Sequence, residues 1–382
     1  MVYGKLGKTN LEASVIGFGA EWLVGKSRED ISDLIDYAMS KGINIIDIFM
    51  SEPEVRSNIG AALKGKRDKM LVQGHIGAIF EDGQYKRSRD LALCKEAFND
   101  LLARLDTDYI DIGMIHYVDV MEDYDTCFDA GIIDYAKQLK KDGVIKCIGL
   151  SSHCPEVAIK AVESGIIDVL MFSINPAYDL EHHDAHIDDL VEFKAMADEN
   201  SGINPLRAEL YRTCEKHNVS ITVMKSLGGA RLLDAKISPF GAALTVPQCC
   251  HYALSRPGVD SVLVGYKTIE QIDVALSYLT ASDKEKDYSK IISKSKNFAL
   301  SGKCMYCNHC LPCPSNINIA EVSKFLDIAL MEDSIPQSVF EHYKALKTNA
   351  SNCIQCGACE QNCPFGVKII ENMQKAQEIF GF

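Results

Sequence analysis

Long apolar runs, an excess of positive charge and a leader-like start are all missing from this chain of 382 residues. Its longest apolar stretches, such as Val169–Ile174, fall far short of the roughly eighteen residues that a membrane-spanning helix needs. The formal net charge of −13 disfavours nucleic acid or an anionic lipid surface as a partner. The opening Met-Val-Tyr-Gly-Lys-Leu-Gly has no apolar core, so no signal peptide is expected. What remains is an ordinary globular composition, 47% hydrophobic and 24% charged. The length suits one large domain and one small one.

Cysteine is the residue in excess. There are 15, of which eight crowd between Cys304 and Cys363, while the rest are scattered singly or as the pair Cys249–Cys250. Without a signal, such clustering reads as metal chemistry in a reducing compartment. A cytoplasmic protein, from an organism that avoids oxygen, is the expectation. The first run is Cys304-x2-Cys307-x2-Cys310-x2-Cys313-Pro314 and the second is Cys353-x2-Cys356-x2-Cys359-x3-Cys363-Pro364. The second matches the bacterial [4Fe–4S] ferredoxin run in every spacing, and in that arrangement the fourth cysteine serves the other cluster. The expected ligand sets are therefore crossed: Cys304, Cys307, Cys310 and Cys363 for one [4Fe–4S] cluster, and Cys353, Cys356, Cys359 and Cys313 for the other. The first run is one residue shorter before its last cysteine, which makes Cys313 the weakest assignment. Paired zinc sites are the alternative, but tandem four-cysteine runs ending in Cys-Pro are foreign to them. Parallel text follows both runs, Pro-Ser-Asn-Ile-Asn-Ile and Pro-Phe-Gly-Val-Lys-Ile-Ile, so the module is an internal repeat with an insertion. Periodicity predicts helices over 319–330 and 337–347 within that insertion.

Before the cysteines, apolar runs alternate with amphipathic stretches. The runs are Val15–Gly19, Ile43–Ile48, Met70–His75, Tyr109–His116, Cys147–His153, Asp168–Asn175, Ser220–Leu227 and Ser261–Tyr266. Helical patterns include 55–63, 90–105, 135–141, 156–163 and 269–279. Eight strand–helix repeats predict an α/β fold of the (β/α)8 TIM-barrel type. No Gly-x-Gly-x-x-Gly turn follows the first run, which disfavours a doubly wound sheet. The expected boundaries are 1–282 for the barrel, 283–300 for a linker and 301–382 for a ferredoxin-like domain with two [4Fe–4S] clusters. Within the linker, Ser282-Asp283-Lys284-Glu285 predicts the start of a helix long enough to carry the chain up the barrel wall. That path predicts a cluster near the strand C-termini. In a barrel the chemistry sits at those termini, which here carry Asp47, His75, His116, Ser151, Ser152, His153, Asn175, Lys225, Ser226, Tyr266 and Lys267.

Several blocks resemble the aldo/keto reductase superfamily: Lys5–Ser14 its opening hairpin, Gly17-Phe18-Gly19 its first strand end, and Gly42–Asp47 the strand carrying its aspartate. Tyr109–His116, Gly149–Ser152 and Met224–Gly229 resemble further family blocks. With the cysteine tail, the chain resembles the ferredoxin-fused branch. The resemblance implies a TIM barrel that reduces carbonyls with NADPH through Asp, Tyr, Lys and His, the tyrosine giving the proton. Asp47 and His116 stand at two of those positions. His75 stands at the Lys position and Glu52 at the Tyr position, so the expected catalytic set is Asp47, Glu52, His75 and His116. The resemblance also implies cofactor contacts at Ser151, Ser152, Asn175, Lys225, Ser226, Leu227, Lys267, Thr268 and Gln271. Gln271 replaces an arginine, and an amide cannot grip a phosphate as a guanidinium fork does.

These residues leave three functions open. The first is an oxidoreductase whose clusters pass electrons, from a donor such as ferredoxin, to a small-molecule substrate or cofactor in the barrel. The second is an NADPH-dependent carbonyl reductase with structural or sensing clusters, and the third a non-catalytic electron-transfer subunit. NADP(H) and flavin both remain open as cofactors, since a nicotinamide gives electrons in pairs and clusters one at a time. Glu181-His182-His183-Asp184-Ala185-His186 reads as a polar loop before a metal site, and Cys154 as a small buried hydrophobe before a nucleophile.

Overall fold

The computed structural model describes residues 1–180, 203–293, 302–331 and 334–382. The Glu181–His186 run therefore lies outside the described residues, as does 294–300 of the linker.

A two-stranded antiparallel hairpin comes first, β1 (Tyr3–Lys5) with β2 (Glu12–Ser14). Eight parallel strands then close into a barrel: β3 (Ile16–Gly19), β4 (Ile45–Ile48), β5 (Leu71–Ile76), β8 (Ile110–Ile115), β9 (Ile145–Ser152), β10 (Val169–Ser173), β11 (Ser220–Met224) and β12 (Val259–Gly265). Every apolar run of the sequence supplies one strand. They read as continuous apolar text because a parallel barrel strand is covered on both faces; β4 and β8, for example, are buried throughout.

Ile45, Ile112, Met114, Cys147, Val169, Met171 and Leu263 fill the interior, and Leu6 and Ala13 of the hairpin pack with them. One end of the barrel is thus plugged, and the polar strand ends gather at the other. Helices flank the strands where the 3.6-residue pattern predicts them, among them Pro53–Leu63, Leu91–Arg104, Ile132–Lys141, Pro155–Glu163 and Ile269–Leu276. The helix predicted over 135–141 begins three residues earlier, at Ile132, after Gly131 in the left-handed region.

One element is new: a second hairpin, β6 (Ala78–Glu81) with β7 (Gln84–Arg87), inserted after β5. Asp82 and Gly83 both have positive φ, 55° and 75°, the geometry of a two-residue turn whose twist matches that of paired strands. Gly77 turns the chain out of β5 with φ 98°; a Cβ there would lie 3.0 Å from both the Ser88 carbonyl and Arg89.

The chain divides into two compact units, one of 1–173, 219–224 and 260–279, the other of 174–218, 225–259 and 280–382. In the second, helix Pro205–His217 holds the insertion helix Gln337–Lys344: Ser338 Oγ donates to the Glu215 carbonyl at 2.6 Å and the Glu215 carboxylate meets His342. The insertion helices, Ile319–Ala329 and Gln337–Lys344, lie where periodicity predicts them. The helix expected at Ser282 does begin there, with a capping box to Glu285, but it ends at Lys286. Asp287 is extended, its carbonyl taken by Gln248 Nε2 at 2.6 Å and its carboxylate by Ser289 N–H and His309, so one long helix cannot continue. Among the described residues no helix is long and apolar enough to cross a membrane.

Candidate functional site

Asp47 lies next to the end of β4, His75 near the end of β5, and His116 follows β8, so three neighbouring strands point three titratable groups at one place. All three are almost fully buried. His75 Nε2 lies 2.9 Å from Asp47 Oδ1, and His75 Nδ1 lies 2.8 Å from His116 Nδ1. Gln73 Nε2 donates to the same Asp47 oxygen at 3.0 Å. Burial, then the neighbouring His75, hold His116 well below the ordinary histidine range, with Arg87, Arg89 and His153 acting in the same direction. The His116 ring is therefore neutral near pH 7 and carries its single proton on one of its two nitrogens.

The chain of contacts does not stop at His116. Tyr85 of the inserted hairpin places its hydroxyl 2.5 Å from His116 Nε2. Phe49 stacks on His116 at 6.1 Å and meets Tyr85 edge-on at 6.2 Å. Arg89 steadies the segment by donating to the carbonyls of His116 and Tyr117 at 2.8 and 2.9 Å while pairing with Asp123. Tyr85 is 37% exposed, although the other members of the chain are buried. Sequence reasoning missed it. Its signal was Asp82-Gly83 between alternating residues, a hairpin turn inside what otherwise reads as a strand-to-helix loop.

Asp47, His75 and His116 thus meet, as the resemblance implies. Glu52 does not join them by any hydrogen bond: it begins the helix Pro53–Leu63 without capping it, and its Oε2 is buried with no partner among the described residues. Its charge does act on Tyr85, whose phenol is raised above its ordinary range, first by burial and also by Glu52, against the pull of Arg87 and Arg89.

The residues expected to hold a nicotinamide nucleotide are occupied with the fold itself. Ser151 Oγ accepts from Tyr117 N–H at 2.8 Å, and Ser152 Oγ donates to Asp119 and Cys154. Asn175 Oδ1 accepts from the backbone N–H groups of Ala177 and Tyr178, while its Nδ2 donates to the Lys225 carbonyl at 2.9 Å. Lys225 starts a turn with φ 59° that Gly228 closes, leaving Ser226 buried and Leu227 within the turn. Lys267 lies 3.7 Å above the Trp22 ring, Thr268 begins helix Ile269–Leu276, and Gln271 accepts from Lys267 N–H at 2.6 Å. Two other strand-end groups are structural. Tyr266 donates to the Gly17 carbonyl, and burial raises the Cys154 thiol, the opposite of an activated nucleophile.

In the second unit, Cys304, Cys307, Cys310 and Cys363 line one cavity with Pro364 and Val367. Cys313, Cys353, Cys356 and Cys359 line another with Ile317 and Met373. The two loops repeat their backbone: Tyr306 and Gln355, each just before a second cysteine, have φ 56° and 55°, and Asn308 and Gly357, each just after it, have φ 57° and 77°. These left-handed turns converge the thiols. Burial pushes the Cys304 thiol up to about 12 and the Cys307 thiol up to about 11. Two buried hydroxyls without an oxygen or nitrogen partner among the described residues, Ser323 and Ser289, face Cys304 and Cys307 and favour their charged forms. Each cavity thus gathers four cysteines, the donor set that a cubane cluster takes.

Residues 15–243 match the model described as aldo/keto reductase family, more than half the chain. This chain belongs to the aldo/keto reductase family. Residues 303–368 match the 4Fe-4S dicluster domain, and the family member therefore carries iron–sulfur clusters. The chain is 27% identical over 277 residues to the uncharacterised oxidoreductase YqkF of Bacillus subtilis, spanning 70% of this chain and 88% of that one. It is 24% identical over 296 residues to L-galactose dehydrogenase of Arabidopsis thaliana, spanning 72% and 87%. Among solved structures it resembles the holo form of the aldo-keto reductase AKR11C1 from Bacillus halodurans, with TM-score 0.60, 22% identity, and 77% of this chain and 96% of that one covered. That likeness shows the barrel fold. The protein is an aldo/keto-reductase-like oxidoreductase with a 4Fe-4S dicluster domain.

Proposed function

We propose that this oxidoreductase is driven by electrons rather than by hydride. Its cysteine module takes single electrons from a low-potential donor of the ferredoxin type, and a small carbonyl-class substrate receives them at the barrel mouth. The observation that carries the reading is the Asp47–His75–His116 chain. It joins the positions where the resemblance puts the family's Asp, Lys and His, with His75 in place of the lysine, and it handles protons without the lysine that would activate a tyrosine. Bound to Cys304, Cys307, Cys310 and Cys363, and to Cys353, Cys356, Cys359 and Cys313, two [4Fe–4S] clusters would supply electrons one at a time. Asp47, His75 and His116 hold and move protons, and Glu52 lends charge to the same mouth. The commitment of Asn175 and Gln271 to backbone partners supports a weakened place for NADPH. The barrel of 1–282 is then the catalytic body and 301–382 the electron module, joined by 283–300.

The test is anaerobic. Protein reconstituted with iron and sulfide is mixed with reduced methyl viologen and a panel of aldehydes and ketones, and viologen oxidation is compared with NADPH oxidation on the same panel. Viologen-linked turnover should exceed NADPH-linked turnover at least tenfold. NADPH-linked rates in the ordinary enzyme range of roughly 1–1000 per second would replace this reading with a hydride-driven reductase.

A further inference from the structure

We propose that Tyr85, from the hairpin inserted after β5, gives the proton to the substrate oxygen and is refilled through His116, His75 and Asp47. The inference deepens the carbonyl-reduction reading of this mouth and rests on it.

The geometry starts from four groups joined end to end by three hydrogen bonds. When Asp47 is a carboxylate, only one placement of protons satisfies all three. His75 donates from Nε2 to Asp47 and leaves its Nδ1 lone pair free. His116 must then donate from Nδ1, which leaves its Nε2 lone pair to accept from the Tyr85 hydroxyl. The chain is directional, with every proton facing inward. A proton that enters from solvent at Tyr85 reverses each bond in turn and comes to rest on Asp47, leaving the phenol hydrogen pointing outward. Tyr85 is the only member open to solvent, so a substrate can reach the chain there and nowhere else. The phenol stays protonated at neutral pH because burial outweighs the pull of Arg87 and Arg89.

The step balances. Two electrons from the low-potential one-electron donor and one solvent proton make the new C–H bond at the carbonyl carbon. The Tyr85 O–H bond breaks as the alcohol O–H bond forms. Tyr85 oxygen then takes the proton from His116 Nε2, His116 Nδ1 takes one from His75 Nδ1, and His75 Nε2 takes one from the Asp47 carboxyl. The chain ends in the inward-facing arrangement with which it began. One more solvent proton at the phenol reloads it.

The experiment compares wild type, Tyr85→Phe and Tyr37→Phe, all reconstituted, in viologen-linked reduction of benzaldehyde. It adds ¹⁵N spectra of the histidine rings in the oxidised proteins. Tyr85→Phe should lose about 10²-fold or more in kcat with KM within about threefold, the range expected for a lost general acid. His116 should carry its proton on Nδ1 in wild type, and its Nε2 resonance should move on Tyr85→Phe. Tyr37→Phe, which removes a phenol that donates to Asp273 between two helices outside the barrel, should retain turnover within about threefold. Equal turnover in wild type and Tyr85→Phe overturns the assignment, as does an equal loss in Tyr37→Phe or a His116 protonated at Nε2 and indifferent to residue 85. Wild type that reduces no carbonyl removes the reading of the mouth and the donor role with it, an outcome distinct from an active wild type matched by its Phe variant.

Discussion

His75 and His116 meet nitrogen to nitrogen, their Nδ1 atoms 2.8 Å apart. One nitrogen must donate and the other accept, so the pair cannot be doubly protonated without breaking. His116, held low by burial and by His75, with Arg87, Arg89 and His153 also facing it, binds its proton less readily folded than unfolded. An unfolded histidine titrates near about 6.5. Its contribution to stability is therefore complete above that pH and is lost as the pH falls toward the lowered value, with a slope of up to about 1.4 kcal/mol per pH unit. Urea unfolding between pH 7.5 and 5.5 measures it. The slope should flatten in His116→Gln, and an unchanged slope would assign the acid sensitivity elsewhere.

Gly60 has no room for a side chain. A Cβ there would lie 2.2 Å from the Arg104 carbonyl and 2.8 Å from Leu105 Cα, both backbone atoms that no rotamer change can move. Gly60→Ala should push helix Pro53–Leu63 away and destabilise the protein by about 3 kcal/mol, near the upper end for overpacking. Chemical denaturation reads it, and a loss below about 0.5 kcal/mol would contradict the packing described.

The cysteine cavities predict crossed losses. Protein purified without oxygen should hold about eight iron and eight sulfide per chain, four of each per cubane. Cys363→Ser should remove the same cluster as Cys310→Ser, although Cys363 lies in the second run, and Cys313→Ser the same cluster as Cys353→Ser. Iron analysis and electron paramagnetic resonance of the reduced variants distinguish the two patterns. Stoichiometric zinc without labile sulfide would sink the cluster assignment.

Gln271 now accepts from Lys267 N–H instead of offering a fork to a phosphate. Fluorescence titration should find weak NADPH binding by the wild type. Gln271→Arg should strengthen it about tenfold, the worth of one charge-assisted hydrogen bond. No change in the variant would mean that the nucleotide, if bound at all, does not reach this corner.

Much of this was legible from residues alone. Strand alternation and length determine a barrel, because parallel strands buried on both faces must be continuously apolar. Cysteine spacing determines a dicluster module, because two-residue gaps are what three thiolates around one cubane need. The departures at Glu52, His75 and Gln271 are equally visible in the letters. Three things were decided only in three dimensions. Asn175 and Ser152 read as free strand-end polar groups, but each is taken up by neighbouring backbone or side chains that no linear pattern exposes. The helix at Ser282 has a proper start in sequence and ends early because distant Gln248 and His309 claim Asp287. Tyr85 lies 31 positions before His116 in a segment that reads as a loop, and a turn at Asp82-Gly83 is what lays its phenol against the imidazole. Hydrophobic periodicity reports burial, which is a property of single residues. A hydrogen-bonded relay depends on register between strands far apart in the chain, and only the closed barrel sets it.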